Sequence, residues 1–154
     1  MRLSTKSRYG LRAMFDIAYN CGAGSAQIQD ISRRQHISQR YLEQIFQSLK
    51  KAGIITSKRG PQGGYMLARK LDEITLAEIV KASEGDLKLV ECSRKSGKKV
   101  SCEFDGECVT QTVWQGAEEL LTSYLAGMTL QTLCDRGREM NIRKDGDALF
   151  AYSI

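Results

Sequence analysis

Ser38-Gln39-Arg40-Tyr41-Leu42-Glu43-Gln44-Ile45-Phe46-Gln47-Ser48-Leu49-Lys50-Lys51-Ala52-Gly53, running on into Ile54-Ile55-Thr56-Ser57-Lys58-Arg59-Gly60-Pro61-Gln62-Gly63-Gly64-Tyr65-Met66-Leu67, decides how this chain folds. Ser38 is a good N-cap, since a hydroxyl there accepts from the orphan amides of a first helical turn. Leu42, Ile45, Phe46 and Leu49 then recur at offsets 0, 3, 4 and 7, one buried stripe of a helix. Lys50 and Lys51 suit its last turn, where cations complement the dipole, and Gly53 supplies a left-handed stop. Beyond it the period changes. Ile54-Ile55-Thr56-Ser57 is β-branched and strand-like, and Tyr65-Met66-Leu67 is its partner. Between them lies the basic, glycine-rich turn Lys58 to Gly64, which holds the only proline of the chain.

Upstream, a helix is expected from about Ser4 to Asn20 with Leu11, Met14, Phe15 and Ala18 at helical spacing. A shorter one follows from Gln27 to Gln35 with Ile28 and Ile31 on one face. His36-Ile37 is a tight connection into the Ser38 helix. Two helices, a capped third and a basic-tipped hairpin spell a mainly α fold, a winged helix-turn-helix with a two-stranded wing. In such a fold one face of the third helix enters the DNA major groove. Gln39, Arg40, Tyr41 and Gln44 lie off the apolar stripe; Gln pairs with adenine and Arg with guanine through two hydrogen bonds. Lys58 and Arg59 sit on a tip narrow enough to reach phosphates or a minor groove. The plainer alternative is a small helical domain with a solvated hairpin.

Charge favours the DNA reading. Residues 1–70 hold thirteen Lys and Arg against three Asp and Glu, a balance of +10, whereas residues 71–154 carry −5. This asymmetry suggests a polyanion-binding module, residues 1–70, joined to a part with another task, residues 71–154. No apolar run approaches the roughly 20 residues that span a bilayer, and the first residues have no apolar core of an export signal, so a cytoplasmic protein without membrane association is expected. In the second part Thr75-Leu76-Ala77-Glu78 is a capping box, and Thr129 caps a final helix with Leu130 and Leu133. Between these, about Val109 to Gly127 forms a long helix with a broad apolar surface: Val109, Val113, Trp114, Ala117, Leu120, Leu121, Tyr124, Leu125 and Met128. It is expected to pack on its twin in a homodimer, the alternative being burial within its own chain. Paired reading heads suit double-stranded DNA with a palindromic or pseudo-palindromic operator.

Five cysteines, an odd number, argue against a disulfide framework. Cys92-x9-Cys102-x5-Cys108 falls in a Lys-, Ser- and Gly-rich loop just before the long helix. Thiolates suit iron–sulfur clusters or zinc, and a helix N-terminus behind Cys108 stabilises thiolate charge. A metal centre, a thiol redox switch and inert surface cysteines all remain open on the residues alone. Cys21 and Cys134 read as small buried apolar residues. An enzyme is not expected: there is one histidine, no Gly-x4-Gly-Lys-Ser/Thr loop and no Gly-x-Ser-x-Gly elbow, and the acidic residues read as solvated helix faces.

Met1-Arg2-Leu3-Ser4-Thr5-Lys6-x-Arg8-Tyr9-Gly10, Tyr41-Leu42-Glu43-Gln44 and Arg59-Gly60-Pro61-x-Gly63-Gly64-Tyr65 together resemble the Rrf-type bacterial transcription regulators, the family of IscR, NsrR and CymR. The likeness extends over about residues 1–134. It implies a dimeric winged-helix regulator in which Ser38 to Gln44, including Glu43, face the major groove, Arg59 enters the minor groove, and the long helices cross at the dimer interface. It further implies that Cys92, Cys102 and Cys108 hold an iron–sulfur cluster, 2Fe-2S or 4Fe-4S, sensing cluster status, redox state or nitric oxide. The first gap of the triplet is longer than is usual in the IscR branch. Gln111 stands where that branch has a ligating histidine, and Arg8 where some members place a carboxylate. Gln111, a carboxylate, His36 and another subunit therefore stay open as fourth ligand. The cysteine-metabolism branch implies the alternative, a cluster-free repressor controlled by a regulatory protein partner or by thiol redox.

Overall fold

The computed structural model describes residues 4–90, 102, 104 and 107–145. Ser4 opens α1 (Thr5–Asp16), its hydroxyl accepting from the Lys6 amide at 3.2 Å. The helix continues through a π-helical turn at Ile17–Cys21, so the helical run anticipated from Ser4 to Asn20 is one rod with a change of winding. There follow α2 (Ile28–Gln35), α3 (Gln39–Lys51), β1 (Ile55–Lys58), β2 (Gly64–Leu67), α4 (Leu76–Glu84), α5 (Val109–Ala126) and α6 (Leu130–Glu139). The strands form an antiparallel ribbon with Ile55 opposite Leu67 and Lys58 opposite Gly64.

The α3 stripe behaves as its spacing requires: Leu42, Ile45, Phe46 and Leu49 are buried, with Met14 and Ile17 of the first rod and Ile31 of α2 among the core residues around them. The same core continues past residue 70 through Ile74, Leu76, Ile79, Leu130 and Cys134. α4 lies closely along α1, where a Cβ at Gly10 would overlap the Ser83 hydroxyl. Glu84 at the end of α4 reaches the start of α1, accepting from the Ser4 amide at 3.1 Å and from the Ser7 hydroxyl. Thr75 and Glu78 form the capping box read from the sequence, and Thr129 forms a second one with Thr132. The α5–α6 junction is sewn to the start of α4 by Leu76 N–H to Met128 O at 2.9 Å and Leu130 N–H to Ile74 O at 3.0 Å.

At Asp16 the structure departs from the solvated faces anticipated for the acidic residues. Asp16 is fully buried and accepts from Arg34 Nη2 at 2.7 Å and Nε at 3.0 Å, Gln35 Nε2 at 2.9 Å and Asn20 Nδ2 at 3.2 Å. Arg34 also reaches Asp145 at 2.8 Å, and the guanidinia of Arg34 and Arg33 hold the Asp145 carboxyl below the usual carboxylate range. A buried charge stripped of its partner is costly. Asp16→Ala is therefore expected to destabilise the fold by about 3 kcal/mol, near the lower end for broken buried pairs because Arg34 keeps Asp145. Urea unfolding reads this as a lowered midpoint at unchanged slope.

Candidate functional site

α2 ends at His36, whose φ of 52° is left-handed, and this sharp turn delivers Ile37 into the core and Ser38 to the N-cap of α3. The Ser38 hydroxyl accepts from the Tyr41 amide at 3.4 Å. Ser38, Gln39, Arg40, Glu43 and Gln44 are all exposed on the side opposite the apolar stripe. Tyr41 differs from the free reader that its position off the stripe suggests. It is half-buried, and its ring stands edge-on to Tyr9 with centroids 5.6 Å apart.

The wing is held at its base and open at its tip. Ala26 N–H donates to Tyr65 O at 2.8 Å and Tyr65 N–H to Ala26 O at 2.9 Å, a bridge that ties β2 to the entry of α2. This closeness explains Gly64: its φ is 152°, and any Cβ there would collide with the Ala26 carbonyl. Gly60, at φ 114°, allows the reversal of the tip, and a Cβ at Gly63 would meet the Lys58 carbonyl. Lys58, Arg59 and Gly60 are exposed. Among the described residues Arg40, Lys58 and Arg59 form no ion pair, so each of these cations faces solvent uncompensated.

Of the cysteine triplet, Cys92 lies outside the described residues. Cys102 is exposed, and Cys108 is half-exposed at the N-cap of α5. The Cys108 sulfur lies 3.2 Å from the Thr110 hydroxyl, and this hydrogen bond, with the Gln111 and Thr110 amides, holds its thiol below the ordinary range. Burial pushes the thiols of Cys21 and Cys134 the other way. Cys134 is buried as anticipated, and Cys21 is half-buried. Reactivity follows the thiolate, so Cys108 is set apart from these two. Among the described residues no three His, Cys, Asp or Glu side chains converge as a metal site. Gln111 occupies the first turn of α5, whereas His36 is exposed in the helix-turn-helix.

Sequence reading missed Glu118. This α5 carboxylate is only 7% exposed, accepts from the Leu89 amide at 2.5 Å and lies 3.9 Å from the Lys88 ammonium. It pins the segment entering the cysteine loop to the helix that leaves it. The pair Glu118-Glu119 after Ala117 in an otherwise largely apolar helix carried the only signal, since a polar residue turned inside such a surface needs a partner. The rest of α5 presents an apolar row to solvent: Val109 is 83% exposed, Leu120 74%, Val113 65%, Tyr124 60% and Trp114 44%.

Comparison with known proteins agrees with this architecture. Residues 3–136 match the family model Rrf2, described as an iron-dependent transcriptional regulator. The HTH-type transcriptional regulator IscR of Xenorhabdus nematophila is 37% identical over 149 residues, covering 96% of this chain and 88% of the relative. The solved structure of T. potens IscR superposes with a TM-score of 0.74 at 32% identity, covering 96% of each chain. CymR of B. subtilis, described as a global cysteine regulator, gives 0.71 at 30% identity over 88% of this chain and 98% of that one. With these helices, this two-stranded wing and that match, the chain belongs to the Rrf2 family of transcriptional regulators.

Proposed function

We propose that this chain is a sequence-specific DNA-binding regulator that acts as a homodimer in the cytoplasm and answers to an iron–sulfur cluster held by Cys92, Cys102 and Cys108. The observation that carries the DNA reading is the exposed row Ser38, Gln39, Arg40, Glu43 and Gln44 beside a wing whose cations Lys58 and Arg59 have no ion-pair partner among the described residues. The α3 row suits base edges in the major groove, with Tyr41 at its margin. The wing tip, turned by Gly60, Gly63 and Gly64, suits the phosphates or minor groove alongside. Residues 1–70 would do the reading and residues 71–154 the sensing and pairing, a division of task over a shared core.

The thiols fit the cluster chemically. Cys102 and Cys108 are accessible and free, and the Thr110 hydroxyl lowers the Cys108 thiol, shifting it toward the thiolate, the form that binds metal. When bound, the cluster supplies a centre whose charge and ligand set change with iron supply, oxidation or nitric oxide. The chain's own residues carry such a change onward. Cys108 caps α5, Glu118 holds the other end of the loop, and the α5–α6 junction is bonded to α4, which lies along α1.

Arg59→Ala is expected to weaken binding to a selected operator by about 1–3 kcal/mol if the side chain reads bases or groove shape. Anisotropy titration at fixed salt checks this, and an unchanged affinity removes Arg59 from the contact set. The likeness to CymR supports a second reading, a cluster-free repressor governed by a protein partner or thiol redox. Iron and acid-labile sulfide, assayed after anaerobic purification and again after reconstitution, separate the two: their absence from both preparations favours the second.

A further inference from the structure

We infer that Arg12 of α1 is a positioning residue for DNA reading: it fixes the start of the recognition helix by gripping the helix-turn-helix turn and, through Tyr9, the ring of Tyr41. The inference rests on the assignment of α3 as the DNA-reading helix. Arg12 Nε donates to the side-chain oxygen of Gln35 at 3.2 Å, and Arg12 Nη2 donates to the Gln35 backbone carbonyl. That carbonyl is one of the last of α2, which helix geometry leaves without an intrahelical donor. It immediately precedes the left-handed His36 that redirects the chain into α3. The other end of the Gln35 amide donates to buried Asp16 at 2.9 Å, so Gln35 is held from both sides.

The same guanidinium lies over the Tyr9 ring, 5.5 Å from its centroid. Tyr9 in turn meets Tyr41 edge to face, with ring planes at 86°. One exposed arginine thus contacts the end of α2 directly and the first turn of α3 through a single ring. Base contacts in this class of fold come from the N-terminal part of the recognition helix, where a small tilt misplaces bidentate hydrogen bonds. A lysine cannot replace this arrangement, because the fork that bonds two oxygens while its plane covers a ring belongs to the guanidinium.

The experiment first selects a preferred duplex from random sequences with the wild-type full-length chain. It then measures affinity for that duplex and for an unrelated duplex across a salt series. Arg12→Ala is expected to weaken the selected site about tenfold, the size of one mismatched base pair, while leaving the unrelated duplex and the salt slope unchanged. Arg12→Lys should fail to rescue, and Tyr9→Leu should show the same selective loss. Equal losses on both duplexes, with a salt slope lowered by about one and rescue by lysine, mark a phosphate contact and overturn the inference. Unchanged affinity in Arg12→Ala overturns it equally. Gln44→Ala is the control for the underlying assignment: if it too leaves the selected site untouched, the fault lies with α3 as the reading helix, whereas a loss in Gln44→Ala alone convicts the Arg12 inference.

Discussion

Replacing Cys92, Cys102 and Cys108 together with alanine is expected to yield a colourless protein without iron or acid-labile sulfide, whose operator affinity no longer changes when iron is withdrawn. The wild-type chain should carry both elements in comparable amounts and absorb in the visible. Coupling between a ligand site and DNA binding is typically worth 1–3 kcal/mol, so the wild-type response should be on the order of 5- to 150-fold and the variant response near unity. Cys21→Ala and Cys134→Ala are the controls. Burial pushes those two thiols up, away from the thiolate, whereas Cys108 sits at a helix start with Thr110 and two amides that lower its thiol. They should therefore keep the colour, although Cys134→Ala removes a buried side chain and should lower stability modestly. Metal and sulfide analysis with an absorption spectrum on one anaerobic sample decides the matter. Full iron loading in the triple variant, or zinc in place of iron in the wild type, would sink the assignment.

The elements that position the candidate site were legible because they obey local rules. Ser38 and Thr75 cap, Leu42 to Leu49 repeat at helical spacing, Gly53 stops α3, and Lys58 to Gly64 turns the ribbon. These signals concern residues within a few positions of one another. Asp16 and Glu118 were not legible for the opposite reason. A carboxylate on a helix reads as solvated unless its distant partners are known. Those of Asp16 stand on α2, and those of Glu118 on residues 88 and 89, far along the chain. The tail at Ile142–Asp145 was equally mute. It accepts from the Tyr19 hydroxyl at Ile142 O and from Arg33 and Arg34 at Asp145, contacts that span more than a hundred residues. Tyr41 shows the finer limit. Its place off the apolar stripe was right, but only the fold reveals that Tyr9 takes one edge of its ring.

Introducing charge into the outer row of α5 is expected to split the proposed homodimer and, with it, most of the operator affinity. Ala117, Leu121 and Leu125 are half-buried, the last of them packed against the core of its own chain, so α5 is anchored without its outer face. Val109, Val113, Leu120 and Tyr124 recur at spacings of four, seven and four residues and form one exposed apolar row. Exposed apolar surface costs roughly 25 cal/mol per Å², and a row of this length on a helix is relieved most simply by an identical row related by twofold symmetry. Val113→Glu with Leu120→Glu places charge on that row but leaves every buried residue of the chain in place. Its far-ultraviolet circular dichroism should therefore match the wild type while its sedimentation falls to that of a monomer. Two tethered reading heads gain roughly 10²- to 10⁴-fold over one, so affinity for a palindromic site should drop at least about a hundredfold. Affinity for a single half-site should hardly change. A double variant that stays dimeric, or a monomer that binds the full site undiminished, would refute the role given to α5. The location matters for control as well as for affinity. Cys108 caps α5 immediately before Val109, so in the proposed reading a change in ligation at this thiol would act at the start of the pairing row and on the geometry that spaces the two heads.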